Sequence, residues 1–247
     1  MIKYKFISLL ILLLLCSSCD ALFPPRTLDV TFYPQNEGYL AYFQISRKEP
    51  VLVIQSTTSP KKWDSLFEQW KNENKAPKVL ILALINKQLI DWAKESKHVS
   101  EVEEFHYPDI NEPPEYLSAF IKQLKKKKID VRRMRQSRYI PLKDAEAICI
   151  APPEKENYDF ETRLSFKFIS GKTSFILIPD LTISLIKNMK NQYGRMALRT
   201  DVLAVNNKQD IMPQIIKEVF SSPQVLDLSS QTKSSAFKTN GESVTKV

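Results

Sequence analysis

Residues 163–208 read RLSFKFISGKTSFILIPDLTISLIKNMKNQYGRMALRTDVLAVNNK, and this stretch decides the fold. It begins with alternating apolar and polar side chains over residues 164–168, the period of a half-buried strand. After a turn that contains a glycine, the unbroken apolar run 175–178 predicts a strand covered on both faces. Periodic apolar residues over 181–194 predict a helix, and the run 202–205 predicts a third strand. The order of hairpin, helix and strand indicates an α/β domain.

This unit resembles the metallo-β-lactamase-fold domain at the C-terminus of ComEC-type DNA-uptake proteins of bacterial competence. In that family a strand ends in G-D-L, and a later segment, D-V-L-K-V-G-H-H-G, carries metal-site residues. The corresponding segments here are Pro179-Asp180-Leu181 and residues 201–209, DVLAVNNKQ. The frame is kept, but the histidines are replaced. The resemblance extends over residues 28–229 and implies a single α/β domain built as a four-layer αβ/βα sandwich.

The same resemblance locates the metal site. In metallo-β-lactamase-fold hydrolases the loop after the central buried strand reads H-x-H-x-D-H, because zinc needs imidazole and carboxylate ligands that converge from one turn. The central strand here is the apolar run 79–85, VLILALI. Aligning the ends of these strands, together with the two later segments, gives the family's metal-site positions as Leu84, Asn86, Gln88, Leu89, Asp180 and Asn207.

Most of these residues are unsuited to zinc. Leucine cannot ligate a metal, and neutral amides are poor zinc ligands. We therefore expect no metal, no cofactor and no catalytic activity. Asn86 is predicted instead to cap the helix after the central strand, and Asp180 to cap the helix from Leu181. The alternative for Asp180 is a retained metal ligand.

The other residues with chemical potential are few. His98 and His106 are the two histidines of the chain, and we expect them in a polar loop after a helix rather than as a metal pair. Cys149 lies in the apolar run 147–151, where a thiol usually serves packing. Neither feature indicates a catalytic site.

The N-terminus has the pattern of a secretory signal. Lys3 and Lys5 precede an apolar run that ends at Leu15, and Cys16-Ser17-Ser18-Cys19 follows. The apolar run is shorter than the roughly 20 residues that cross a membrane. We predict a signal peptide at 1–18 and lipidation of Cys19, as in bacterial lipoproteins. The alternative is an ordinary cleaved signal that leaves Cys19 as a thiol.

Cleavage after residue 18 divides the chain into three further parts. Residues 19–27 would form a lipid-anchored linker, and residues 28–229 the domain. Residues 230–247 contain mainly small, polar and basic residues and are predicted to be disordered. Loss of Lys3 and Lys5 lowers the formal net charge from +8 to +6, so the mature protein remains basic and favours anionic neighbours.

A basic run supplies much of this charge. It consists of Lys125, Lys126, Lys127, Lys128, Arg132, Arg133, Arg135 and Arg138. The first interpretation is a solvated helix end followed by an exposed edge strand. The second is a surface that binds the phosphates of nucleic acid or phospholipid, since several clustered cations are needed for such binding in cellular salt.

Together these features predict a membrane-anchored bacterial lipoprotein at the cell envelope, on the periplasmic or extracytoplasmic face. Its ComEC-like domain would be catalytically inactive and would act as a binding or scaffold protein. A hydrolase of nuclease or phosphoesterase type with an atypical site is one alternative. A purely structural lipoprotein is another. The sequence does not identify a protein partner.

Overall fold

The computed structural model describes residues 27–35, 38–45, 50–56, 61–142, 145–152, 162–207, 209, 211–222 and 224–247. The predicted signal peptide and Cys19 lie outside these residues. No helix of the described part is long and apolar enough to cross a membrane.

The described residues form fourteen strands, five α-helices and one 3-10 turn at Val99–Glu101. The strands are β1 (Leu28–Gln35), β2 (Gly38–Ile45), β3 (Val51–Ser56), β4 (Val79–Leu82), β5 (Glu104–Pro108), β6 (Asp130–Met134), β7 (Tyr139–Leu142), β8 (Ala145–Ala151), β9 (Ser165–Ser170), β10 (Thr173–Ile178), β11 (Val202–Val205), β12 (Gln224–Asp227), β13 (Ser235–Thr239) and β14 (Val244–Lys246). The helices are α1 (Lys61–Asn72), α2 (Lys87–Glu95), α3 (Glu115–Lys126), α4 (Ile183–Leu198) and α5 (Pro213–Phe220).

Two mixed sheets contain all of these strands. The first has the order β14-β13-β1-β2-β3-β4-β5-β6, and the second the order β12-β11-β10-β9-β8-β7. In each sheet one half is antiparallel hairpin and the other half is parallel, with β3 to β6 parallel in the first and β10 to β12 in the second. The parallel halves require crossover connections, which the helices supply.

The two sheets face each other across an aromatic core, with helices on both outer sides. Phe43 of the first sheet stacks on Phe168 of the second, with 3.8 Å between ring centroids. Trp63 and Phe67 of α1 belong to the same core, which covers both faces of the first sheet. A second core buries the outer face of the second sheet under α4 and α5. The predicted four-layer αβ/βα sandwich is confirmed.

The C-terminal segment departs from the prediction. Residues 230–247 were expected to be disordered, but β13 pairs with β1 and β14 pairs with β13. Phe237 is only 3 % exposed and its ring meets those of Phe32 and Phe175 edge-on. The strand β13 provides hydrogen-bond partners for the free edge of β1. Phe237 provides the apolar packing, although the rest of this segment is mostly polar. The prediction of disorder is therefore wrong, and the domain extends through these strands.

Both histidines and Cys149 are buried. His98 is 4 % exposed and stacks on Phe67, while His106 is fully buried within β5, so the predicted polar loop is wrong. His106 Nε2 lies 3.0 Å from Glu104 Oε2, and that contact lets an imidazole occupy a strand. Cys149 is buried in β8, as expected. Burial raises the pKa of its thiol to about 12.

Candidate functional site

Four parallel strands end at the same side of the sandwich. Ala83 follows β4 and donates its N–H to Ile54 of β3 at 2.9 Å, and it accepts the N–H of Leu164 at 2.7 Å. Leu164 precedes β9, which is antiparallel to β10, so the end of β10 also lies here. Asn206, just after β11, donates to Ile178 O at 3.1 Å. We call this side the candidate edge, formed by residues 55, 83–89, 163–165, 179–183, 206–207 and 211–215.

All six predicted metal-site positions lie at the candidate edge, and two of them are apolar and buried. Leu84 is 4 % exposed, and Leu89 on α2 is 2 % exposed. Leu89 belongs to the core beneath α2. The strand β4 ends at Leu82, three residues earlier than predicted, and the buried residues 83–85 cross the end of the sheet. These side chains stabilise the domain by packing.

Asn86 caps helix α2, as predicted. Its backbone is extended and its Oδ1 accepts the N–H of Leu89 at 2.7 Å, which satisfies one of the free donors of the first turn. Gln88, in that same turn, is exposed. The polar positions of the loop are thus occupied by a helix cap and a solvated side chain.

Asp180 does not cap a helix, so that prediction is wrong. Helix α4 begins at Ile183, and Thr182 is its cap because its Oγ1 accepts the N–H of Leu185 at 3.1 Å. Leu181 is fully buried and donates its N–H to Asn206 O at 3.1 Å, which holds the chain extended past the aspartate. The Asp180 carboxylate instead lies 3.7 Å from the guanidinium of Arg163.

Asn207 closes the turn between β11 and α5. Its Oδ1 accepts the N–H of Ile211 at 2.9 Å, and its Nδ2 donates to the carbonyl of the same residue at 3.0 Å. Its backbone N–H reaches Asp227 Oδ1 at 3.4 Å. Both ends of this amide are therefore used within the protein.

These six side chains do not fit a zinc site. Two are aliphatic, two amides are committed to backbone groups, one amide is solvated, and the single carboxylate faces an arginine. A catalytic zinc site instead uses three imidazole, thiolate or carboxylate ligands with an open fourth position. Across the ranges that the structure describes, no three His, Cys, Asp or Glu side chains are grouped so that they could hold a metal ion.

The candidate edge also contains polar atoms that sequence reasoning missed. Gln55, the last residue but one of β3, is 1 % exposed, and neither its Oε1 nor its Nε2 has a hydrogen-bond partner among the residues that the structure describes. Tyr39 is the cross-strand neighbour of Gln55. Within the same described part of the chain, the buried Tyr39 hydroxyl and Asn206 Oδ1 also have no partner. Burial raises the pKa of Tyr39 above its usual value. The sequence signal was a glutamine at the end of the apolar run VLVIQ.

Three exposed apolar side chains lie where helices α4 and α5 begin. Ile183 begins α4 and is 54 % exposed, Met212 precedes α5 and is 63 % exposed, and Ile215 is 39 % exposed. The two helices follow neighbouring parallel strands, so both begin at the candidate edge. Exposed apolar patches often mark surfaces that contact another molecule.

The basic run is divided by the structure. Lys125, Lys126, Lys127 and Lys128 are exposed at the end of α3, before β6. Arg132 in β6 pairs with Asp130 at 2.6 Å, Arg133 lies 3.4 Å from Asp109, and Arg135 contacts the same aspartate. Arg138 is exposed beyond the strand. β6 is the edge strand of its sheet, as the first interpretation predicted.

Comparisons with known proteins identify the architecture. No protein-family model matches the chain. No curated protein matches it either. The solved structure of the metallo-beta-lactamase fold protein YhfI from Bacillus subtilis matches with a TM-score of 0.51 and 12 % identity, over 87 % of this chain and 100 % of that chain.

Hydrolases are also among the similar structures. A diphosphatase from the PhnP family matches with a TM-score of 0.45 and 10 % identity, over 81 % of this chain and 85 % of that chain. The Rm3 metallo-beta-lactamase matches with a TM-score of 0.42 and 10 % identity, over 77 % and 80 %. From the two sheets, the two outer helix layers and the match to YhfI, we conclude that this chain has the metallo-β-lactamase fold.

Proposed function

We propose that this protein is a membrane-anchored bacterial lipoprotein whose ComEC-like domain has lost the metal site and acts as a binding or scaffold protein at the cell envelope. The proposal joins two features. One is the signal and lipidation pattern that ends at Cys19. The other is the chemistry of the candidate edge.

The main support for the proposal is that most of the six predicted metal-site residues serve packing or hydrogen bonding within the domain. Leu84 and Leu89 fill space in the interior, and Asn86 and Asn207 bind backbone groups of the turns that contain them. A side chain that stabilises its own loop is not free to ligate an ion. Restoring a metal site would therefore require changes to the packing and capping of this edge as well as new ligands.

The surroundings of the edge support a role in binding. Ile183, Met212 and Ile215 expose apolar surface where α4 and α5 begin, and the buried polar side-chain atoms of Gln55 and Asn206 Oδ1, at the same edge, have no hydrogen-bond partner among the described residues. Apolar surface beside hydrogen-bonding groups is the usual composition of a protein–protein contact. A protein partner is thus the occupant that this surface fits.

The decisive experiment measures metal content and hydrolysis in the purified lipoprotein. We expect no stoichiometric zinc, manganese or iron, no cleavage of a phosphodiester or a β-lactam with added Zn²⁺ or Mn²⁺, and a melting temperature that chelators leave unchanged. Stoichiometric metal whose removal lowers both stability and activity would favour the atypical hydrolase instead. Mass spectrometry of the N-terminal peptide tests the anchor, and an unmodified Cys19 would refute that part.

A further inference from the structure

The lysine run, Lys125–Lys128, lies at the end of the sandwich opposite the candidate edge. Strand pairing connects Val30 near the start of β1 with Phe43 of β2, and continues through Val51, Val79 and Glu104 to Asp130. The strands β1 and β6 therefore begin at the same end of the sheet. The lysine run immediately precedes β6, and the predicted linker immediately precedes β1.

The lysines of this run are held in place but are not neutralised. Lys128 has a positive φ of 64° and ends the helix, while Ile129 donates its N–H back to Leu124 O at 3.2 Å. The four side chains are exposed at the negative end of the helix dipole. Among the ion pairs of the described residues, none includes a member of this run.

The arginines of the basic run differ in this respect. Arg132 pairs with Asp130, and Arg133 and Arg135 both contact Asp109. An acceptor within the protein already occupies each guanidinium, so these residues add little to the attraction of an outside anion. Within the basic run, the charges that form no ion pair with the described residues are those of the four lysines at the end of α3 and of Arg138, which lies beyond β6.

The linker is long enough to bring this end to a membrane. Leu28 lies nine positions after Cys19 in the sequence, and a fully extended chain of nine residue steps spans about 30 Å. Five strand spacings separate β1 from β6, or about 24 Å. A lipid on Cys19 would thus hold the lysine run within reach of the headgroups.

We propose that the lysine run binds the anionic headgroups of the membrane that carries the lipid, so that the candidate edge faces away from the bilayer. The inference rests on the lipid anchor of the proposed function. It adds a second membrane contact, which is purely electrostatic. It also gives the domain an orientation on the membrane in which Ile183, Met212 and Ile215 remain accessible to a protein partner. Exposed lysines near an anionic leaflet are attracted without a specific pocket, and salt weakens the attraction.

The first experiment measures headgroup binding without the lipid. Both hydrophobic cores consist of residues after position 27, so a chain that begins at residue 20 retains the complete domain. We expect it to sediment with phosphatidylcholine vesicles that contain phosphatidylglycerol, to do so less as salt rises, and to leave pure phosphatidylcholine vesicles unbound.

A charge-matched pair of variants locates the contact. Lys125→Gln, Lys126→Gln and Lys127→Gln together should reduce vesicle binding on the order of a hundredfold. The control changes Lys87, Lys187 and Lys190 to Gln, since these three exposed lysines lie on α2 and α4 away from the run. The control should bind as the parent does. Equal losses in the two variants, or no preference for phosphatidylglycerol, would overturn the proposal. Tighter binding to duplex DNA than to vesicles at the same salt would also overturn it.

The second experiment measures orientation in the lipidated full chain. Burial raises the pKa of Cys149 to about 12, so a dye reacts with an introduced cysteine instead. Lys172→Cys marks the anchored end, because Lys172 donates its N–H to Gly241, which follows the β13 strand that pairs with the start of β1. Met212→Cys marks the candidate edge.

Energy transfer to acceptor-labelled lipids should be stronger from position 172 than from position 212. The reverse order would refute the orientation. The two parts of the argument can fail separately. An unmodified Cys19 in the mass spectrum refutes the anchor, whereas loss of the lysine effect in the chain from residue 20 refutes the headgroup contact.

Discussion

Asn86 accepts the backbone N–H of Leu89 through its Oδ1, at a distance of 2.7 Å. This bond caps the first turn of α2. Asn86 occupies a position that the resemblance in sequence aligns with the metal-site motif of metallo-β-lactamase-fold hydrolases. The neutral amide satisfies a backbone donor that the first turn would otherwise leave free.

Removing this cap should destabilise the domain. Asn86→Ala is expected to lower the free energy of unfolding by about 1 kcal/mol, and Asn86→Asp should retain most of it because aspartate also caps well. Gln88→Ala is the control, since Gln88 is exposed in the same turn. Urea denaturation measures all three. Equal stability of Asn86→Ala and the parent would show that the bond contributes nothing.

We expect that Gln55 lowers the free energy of unfolding of the domain. Its side chain is buried and neither of its polar atoms bonds to another described residue. A buried polar group without hydrogen bonds is unfavourable by about 1–3 kcal/mol. Gln55→Met, of similar shape, is therefore expected to raise the melting temperature.

Gln136→Met provides the matched control for that change. Gln136 is also buried, but its Nε2 donates to Tyr193 Oη at 2.5 Å and to Ile150 O at 3.4 Å. Its replacement should lower the melting temperature. If both glutamine variants lower the melting temperature to the same extent, the side chain of Gln55 makes stabilising hydrogen bonds, and this prediction is wrong.

The sequence predicted the elements with strong periodic patterns. The hairpin β9–β10, the helix α4, the strand β11 and the cap at Asn86 were all recognised from local patterns of apolar and capping residues. Such patterns depend on neighbours a few positions away, so a single sequence is sufficient to detect them.

Predictions failed where distant residues decide the structure. Asp180 is a residue type that often caps helices. The hydrogen bond from the Leu181 N–H to Asn206 O keeps the chain extended, so the helix begins two residues later than predicted, at Ile183. His106 follows a segment rich in glutamate, residues 101–104, yet β5 is paired with a strand on each side. Cross-strand pairing of this kind leaves no local signal, and the same holds for β13.

The C-terminal strands should be necessary for stability. Phe237 packs between Phe32 and Phe175, with ring centroids 6.0 and 6.4 Å away. Phe237→Ala is expected to cost about 3–5 kcal/mol, as other buried Phe-to-Ala changes do. The exposed Lys238→Ala, one residue later, should have little effect. Thermal denaturation compares them, and an unchanged stability of Phe237→Ala would favour the predicted disorder of residues 230–247.

Cys149 should resist modification until the domain unfolds. It is fully buried in β8, and burial raises the pKa of its thiol to about 12, so almost no thiolate exists at neutral pH. A thiol reagent added to the chain from residue 20 should react only after denaturant is present. Rapid reaction in buffer would mean that β8 opens in the native state.

The final prediction concerns Glu104, which links β5 to β6. Its Oε2 lies 3.0 Å from His106 Nε2 and 3.8 Å from Arg132 Nη1. The hydrogen bond with His106, followed by the charge of Arg132, lowers the pKa of the Glu104 carboxyl, while partial burial and Asp130 oppose the shift. A carboxyl whose pKa is lower in the folded state adds stability above its unfolded pKa of about 4.3, and that stability is lost as the pH falls through the folded pKa.

Glu104→Gln should therefore be less stable than the parent at pH 7, and the difference should shrink as the pH falls below about 4. Glu103→Gln is the control, because Glu103 pairs with Lys78 on the surface and is 67 % exposed, where ion pairs contribute little. Urea denaturation of the three proteins at several pH values provides the measurement. A difference between parent and Glu104→Gln that stays constant with pH would show that the carboxylate charge does not stabilise this strand pair, and that the side chain acts there through its shape and hydrogen bonding.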